Sequence, residues 1–103
     1  MKLGVFSPVL ASMSLEDALQ YLSGLGVDAM ELGAGGFPGK AHADIIELDK
    51  DKSKVKALKS LFDKYGMEIS ALSVHGNGVH PDKAIAKTAT EEFEAACRVA
   101  EQL

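Results

Sequence analysis

The sequence predicts an α/β fold built from three consecutive βα units whose strands are parallel. Three short apolar stretches, residues 2–6, 28–32 and 67–74, have the length and residue types of buried strands. Each stretch is followed by a longer segment in which apolar residues recur at helical spacing. Because strands that alternate with helices are typical of βαβ units, the three strands are expected to share one parallel sheet.

The first unit opens with the strand KLGVF, residues 2–6, which ends at Ser7 and Pro8. Ser14 and Asp17 resemble a capping box, because the serine can cap free amides and the acid suits the positive end of a helix. Gly26 occupies the position of a left-handed C-cap and is predicted to end this helix. The apolar residues at helical spacing are Leu15, Ala18, Leu19, Leu22 and Leu25.

The second unit has its strand at residues 28–32, a glycine-rich loop at 33–44, and a helix from about Asp51 to Tyr65 that Gly66 ends. Lysines occupy mostly the faces opposite the apolar side of this helix. Acidic residues are interspersed among them and no aromatic residues alternate with them, so the lysines indicate a solvated face rather than a nucleic-acid patch. The apolar side comprises Val55, Leu58, Leu61, Phe62 and Tyr65.

The third unit has its strand at residues 67–74, a loop at 75–87 and a helix from about Ala89 to the chain end. The segment from Thr88 to Glu91 fits a capping box and is expected to start that helix. Cys97 is expected to be a small buried hydrophobe on its apolar stripe. The predicted stripe is Phe93, Ala96, Cys97, Ala100 and Leu103.

The spacing of these units, roughly 40 residues, is near what a (β/α)₈ barrel of ~250 residues needs for eight units. The first two helices end in a glycine that feeds the next strand, whereas none follows the third helix. Residues 1–103 are therefore expected to be a single unit, the first three βα units of a TIM barrel. A complete three-stranded domain is the alternative, and it is disfavoured because both sheet edges would need cover.

Composition narrows the functional classes. Hydrophobic residues make up 47% and charged residues 25% of the chain, as in soluble globular proteins. The net charge of −4 provides no long-range attraction to nucleic acid or to anionic membranes. One cysteine excludes an internal disulfide. The apolar N-terminal stretch is interrupted by Gly4, Ser7 and Pro8, unlike a signal peptide. We expect a cytoplasmic protein that binds neither nucleic acid nor membrane.

All three histidines, His42, His75 and His80, lie in the two long βα loops. In α/β barrels these loops form the active-site face. Strand alternation predicts that Glu31 and His75 meet near the barrel mouth with Ser73 below. Glu31 could accept hydrogen bonds from substrate hydroxyls, orient a histidine or bind a metal. A solvated carboxylate at a strand end is the alternative.

The segment SVHGNGVHP, residues 73–81, concentrates hydrogen-bonding groups directly after a strand. His75 and His80 lie five positions apart, which matches neither the helical metal pair nor a zinc-binding spacing, so metal ligation is weakly supported. Asn77, between two glycines, suits either a substrate loop or a left-handed turn. The loop GAGGFPG could cradle a phosphate, with Lys40 adding charge, or could be a mobile loop that needs positive φ.

Two stretches together resemble a known family. GLGVDAMELGAGGFPGKAHAD, residues 24–44, and ALSVHGNGVHPD, residues 71–82, are similar to the amino-terminal part of the sugar phosphate isomerase/epimerase family. These are xylose-isomerase-like TIM barrels, and apurinic-endonuclease-like enzymes share their fold. The resemblance extends over essentially the whole chain.

The resemblance implies a barrel that binds a divalent cation (Mn, Mg, Zn or Co) and isomerises or epimerises a sugar or sugar phosphate. Acid–base glutamates and metal ligands of such enzymes lie on later strands, so the chain alone is expected to bind no cofactor and to be inactive. The positions that match the family's early loops would line the sugar pocket, namely Glu31, His42, His75, Asn77 and His80.

Two alternatives stay open. The chain could be a non-catalytic α/β module that self-associates through its open sheet edges. It could also be part of an endonuclease-like metalloenzyme with the same barrel, although the acidic net charge and the absence of a basic face near the histidines disfavour this hypothesis.

Overall fold

Three parallel strands form the sheet of the computed structural model, which describes all 103 residues. They are β1 (Gly4–Phe6), β2 (Ala29–Gly33) and β3 (Glu68–Ser73). Their order across the sheet is β1-β2-β3, the same as their order along the chain. Both pairs are parallel, so the predicted α/β class and the parallel pairing of the three strands are confirmed.

Four α-helices follow the strands. They are α1 (Leu15–Gly24), α2 (Ile45–Lys50), α3 (Lys52–Lys64) and α4 (Lys83–Ala100), and a 3₁₀ turn covers Ser7–Leu10. The bounds of α1 and α3 agree with the predicted helices. None of the four has both the length and the apolar character that a membrane crossing requires.

The predicted caps of α1 and α3 are confirmed. The Asp17 amide donates to the Ser14 hydroxyl at 3.1 Å, so Ser14 is the N-cap of α1. Gly26 and Gly66 follow the two helices with φ of 79° and 64°. Only glycine adopts this conformation readily, which explains why each helix stops there and the next strand begins.

The helix α2 was not predicted. Asp44 caps it, since its carboxylate accepts from the Ile46 amide at 3.0 Å. With six residues, of which Ile45 and Leu48 are buried, α2 is too short to show helical periodicity. The helix begins immediately after residues 33–44, which were predicted to be a loop.

The predicted start of α4 was wrong. The helix begins at Lys83 with Asp82 as N-cap, whose carboxylate accepts from the Ala84 amide at 2.8 Å. Thr88 lies inside the helix, and its hydroxyl donates back to the Ala84 carbonyl at 3.1 Å. The predicted capping box is therefore six residues late, because a threonine inside a helix can instead bond its hydroxyl to the carbonyl four residues earlier.

The predicted apolar face of α4 was also wrong in part. Phe93 is 63% exposed, and Cys97 and Ala100 are exposed as well. Small residues dominate the true inner face, so this helix can lie close to its neighbours, and the guanidinium of Arg98 reaches Asp49 of α2 at 2.8 Å. The buried residues of α4 are Ala89, Glu92, Ala95, Ala96 and Val99.

The core lies on one face of the sheet. A single cluster of 16 buried residues combines side chains of all four helices with Met30 and Leu32 of β2. The opposite face carries Phe6, Glu31 and Ala71, each at least partly exposed. This distribution agrees with the alternation that was predicted for β2.

A β-bulge in β3 preserves this division. Met30 pairs with Ile69, but Glu31 pairs with Ala71, so Ser70 is an extra residue in the ladder. Ile69 and Leu72 both pack against the core although they are three positions apart. Strict alternation would put them on opposite faces, and the bulge restores the phase.

We predict that Asp82→Ala lowers the free energy of unfolding by about 1 kcal/mol, because the first amides of α4 lose their acceptor. Thr88→Ala should change it by less than about 0.5 kcal/mol, since alanine is at least as good a residue inside a helix. Urea denaturation followed by circular dichroism measures both. A larger loss for Thr88→Ala than for Asp82→Ala would contradict this assignment of the helix start.

Candidate functional site

The loops that follow β2 and β3 lie side by side at the carboxyl ends of the strands. The Ala34 amide donates to the Ser73 carbonyl at 2.9 Å, and the Phe37 amide donates to the His75 carbonyl at 2.8 Å. The backbone pairing of the two strands thus continues into the loops. The two segments that contain the predicted site residues form one surface rather than two separate ones.

Glycine is required where the two loops contact each other and α4. A Cβ on Gly36 would overlap the His75 carbonyl group, whose carbon would be 2.8 Å away. One on Gly76 would lie 2.7 Å from the Cβ of Ala89. Real Cβ atoms do not approach other atoms so closely, so a side chain at either position would separate the loops or lift them off the helix.

The glycine-rich loop does not have the features of a phosphate cradle. Gly36 and Gly39 have φ of 61° and 77°, so these two positions need glycine for their backbone conformation, whereas Gly33 and Gly35 do not have positive φ. A carboxylate, that of Glu92, lies against Gly35 and would repel an anion. Lys40 is paired with Asp44 and Glu92, so its charge is already compensated.

A cleft of about 490 Å³ opens between the two loops and the N-terminal half of α4. Phe37 and Ile85 contribute apolar surface, and both are exposed. His75, Asn77 and Glu92 contribute the polar groups. The cleft therefore brings together two of the five predicted site residues, with a hydrophobic wall beside them.

Asn77 and His80 organise their own loop. The Asn77 side-chain oxygen accepts from the Val79 amide at 3.0 Å, and Nδ1 of His80 accepts from the Asp82 amide at 3.0 Å. An accepting Nδ1 places the proton of a neutral imidazole on Nε2, which is therefore a donor. The remaining amide group of Asn77 and this Nε2–H are the groups that these residues can offer to a ligand.

His42 lies against the loop that follows β1. Its Nε2 is 3.0 Å from the Met13 carbonyl and must carry a proton to donate to it. Its Nδ1 is buried and has no hydrogen-bond partner. No hydrogen bond joins His42 to His75 or His80, so the structure does not combine the three histidines into one cluster.

Glu31 lies on the open face of the sheet. Its carboxylate accepts a hydrogen bond from the Ser73 hydroxyl on the neighbouring strand. Ser73 is therefore beside Glu31, as the strand alternation predicts, but no hydrogen bond joins Glu31 to His75. The five predicted residues occupy separate places, with Glu31 on the open face, His42 against the first loop and the other three on the loop after β3.

Glu92, a charged residue on the buried face of α4, was not among the residues predicted from the sequence. It is only 5% exposed, and its carboxylate lies 3.2 Å from the ammonium of Lys40. Lys40 also reaches Asp44 at 3.2 Å. Burial opposes the charge of Lys40, but hydrogen bonds to Glu92 and Asp44 outweigh it and raise the pKa of Lys40. The signal was a charge interrupting the stripe of alanines, visible once α4 starts at Lys83.

No group of three or more histidine, cysteine, aspartate or glutamate side chains is placed to hold a metal ion. Two carboxylates near the loops already have partners within the chain. Glu31 accepts a hydrogen bond from Ser73, and Glu92 forms an ion pair with Lys40. This chain alone therefore presents no assembled set of ligands for the divalent cation that the family resemblance implies.

The chain is similar to a known bacterial protein over part of that protein's length. No protein-family model matches the chain. A protein of Bacillus subtilis (strain 168), named uncharacterized protein YfiH, is 31% identical to the chain over 81 residues. The match covers 79% of this chain but 26% of the relative, so the chain spans about a quarter of that protein's length. The name of the relative assigns no activity.

We predict that Gly36→Ala lowers the free energy of unfolding by at least about 2 kcal/mol, because it combines a positive φ with the overlap at His75. Gly24→Ala is the matched control. Gly24 ends α1, and a Cβ added there would have no atom within 4 Å, so alanine should be neutral or stabilise by up to about 1 kcal/mol. Equal effects in urea denaturation would contradict the close loop contact.

Proposed function

We propose that this chain forms the first three βα units of a (β/α)₈ barrel enzyme that isomerises or epimerises a sugar or sugar phosphate. Its two long loops would form one wall of the sugar site. The supporting observation is that a parallel sheet has all its helices on one face and its polar loops at the carboxyl ends of the strands.

The one-sided sheet favours a barrel over an open α/β domain. Parallel sheets in open folds are covered by helices on both faces. In a closed barrel the second face turns toward the axis and is filled by side chains of the other strands. The open face here, with Phe6, Glu31 and Ala71, has the mixed character of such an interior.

The open edge of β3 supports the same proposal. A groove of about 440 Å³ runs beside this strand between α3 and α4, and its apolar lining includes Phe62, Leu72 and Leu103. In the proposed barrel a further strand would lie along this edge, and in the isolated chain we propose that second copies associate through it. The region shared with the B. subtilis relative covers 26% of that protein, so the relative has enough additional chain for more strands.

The polar groups of the loops suit a ligand rich in hydroxyl groups. The amide of Asn77 and Nε2–H of His80 are donors, and the carboxylate of Glu31 is an acceptor. Each hydroxyl group of a polyol can both donate and accept a hydrogen bond, so it can pair with either kind of group. The net charge of −4 and the compensated Lys40 favour this ligand over the nucleic acid of an endonuclease.

The proposed reaction is proton abstraction next to a carbonyl group. A divalent cation would supply polarisation of the substrate oxygens, and its ligands and the acid–base glutamates would come from the remaining strands. The residues of this chain would bind and orient the sugar through hydrogen bonds to its hydroxyls. Binding by this wall should therefore survive in the isolated chain, whereas turnover should not.

Titration of the ¹⁵N-labelled chain with D-fructose and D-fructose 6-phosphate tests the proposal. Three or four hydrogen bonds of about 1 kcal/mol each correspond to a Kd of roughly 1–10 mM. We expect chemical-shift changes at the amides of Gly36, Phe37 and His75, weaker in His75→Ala, and no isomerisation with or without Mn²⁺.

Lys56→Ala, on the exposed face of α3, is the matched control and should bind like the unmodified chain. Absence of any shift change at up to about 50 mM ligand, several times the expected Kd, would contradict the sugar-wall proposal. Metal-dependent turnover by the chain alone would contradict the assignment of catalysis to the other strands.

A further inference from the structure

We infer that Glu92 is a positioning residue, which acts through Lys40 to hold residues 33–40 of the glycine-rich loop against α4. The purpose of this contact, to place the loop for sugar binding, rests on the proposed function. The contact itself and its effect on the loop do not, and they can be measured without any ligand.

The ion pair joins three elements. Glu92 lies in the middle of α4, and Lys40 lies in the loop between β2 and α2. The Lys40 ammonium is 3.2 Å from Glu92 Oε1 and 3.2 Å from Asp44 Oδ1. Asp44 in turn caps α2 through the Ile46 amide. One ammonium thus connects α4, the loop and the first turn of α2.

The Glu92 carboxylate also contacts the loop backbone. A Cβ on Gly35 would lie 2.9 Å from its carboxyl carbon and 3.0–3.1 Å from its oxygens. Two residues later, the Phe37 amide is bonded to the His75 carbonyl. The loop is therefore held from two sides, by the carboxylate beside Gly35 and by the loop after β3 beside Phe37.

Helix packing alone does not explain a glutamate at this position. The other buried residues of α4 are alanine and valine, which pack without loss of solvation. Burying a carboxylate costs solvation free energy that one ion pair often only offsets, and apolar replacements are frequently as stable. What the carboxylate adds is a directional contact with one ammonium, and this selects a single placement of Lys40 and its loop.

Amide hydrogen exchange of Glu92→Gln tests the inference. Glutamine keeps the shape of the side chain but removes the charge that orders Lys40. The Ile45 amide donates to the Ala34 carbonyl of the loop at 2.8 Å. We expect the Phe37 and Ile45 amides to exchange about tenfold faster, the ratio that corresponds to losing about 1.4 kcal/mol of local protection. The amide of Leu19, in the core of α1, should keep its rate within about twofold.

Glu91→Gln is the matched control. It removes the same charge one residue earlier, where the side chain is exposed and its pair with Lys87 is 3.6 Å long. Its exchange rates should equal those of the unmodified chain. Equal rates for the two variants would overturn the inference, and so would a uniform acceleration that includes Leu19, because that result would show a general loss of stability.

If Glu92→Gln does not fold, Lys40→Gln removes the same ion pair from its more exposed end, together with the contact of Lys40 to Asp44, and the amides of Phe37, Ile45 and Leu19 are compared again. The hydrogen-exchange experiment contains no sugar. Faster exchange in Glu92→Gln would therefore support the role of Glu92 even if the fructose titration showed no binding. If loop exchange is unchanged in Glu92→Gln and fructose binds as expected, the inference about Glu92 is overturned and the proposed function is not.

Discussion

The close contact of two loops and one helix is the constraint on which the candidate site depends. Gly36 lies against the His75 carbonyl, Gly76 against Ala89, and Gly35 against the Glu92 carboxylate. The first two contacts are with rigid atoms and are possible only because Gly36 and Gly76 have no side chain. The glycines therefore allow the two loops and α4 to pack closely together. This packing holds in place the loop surface on which the polar groups of the site lie.

The sheet imposes the second constraint, because only one of its faces is used by the helices. Met30 and Leu32 enter the core, while Glu31 between them lies on the open face with Ser73 beside it. The bulge at Ser70 keeps this division in β3. The candidate polar groups consequently occur at two places, the open face and the loop surface, which a barrel would bring to the same end of its axis.

Local signals made much of the fold predictable. Ser14, Gly26 and Gly66 each mark a boundary through an interaction with their own neighbours, so α1, α3 and the strands follow from the sequence. The helix α2 and the first turns of α4 did not, because Asp44 and Asp82 lie among other polar residues that suit loops equally well.

The candidate site was less predictable. The sequence identifies the long loops, but the partners of His42 and Lys40 lie 29 and 52 positions away, at Met13 and Glu92. No local pattern encodes such contacts. Glu92 could have been found from its place among the buried alanines, but only after Asp82 had been identified as the start of α4.

Amide exchange in the unmodified chain measures the loop contact most directly. The Phe37 amide bonds across to the other loop, whereas the Gly39 amide bonds to Gly36 within its own turn. If the two loops are held together, Phe37 should be protected as strongly as the amides of β2 and more strongly than Gly39. Exchange of Phe37 at the rate of an unstructured peptide, with β2 still protected, would contradict this account.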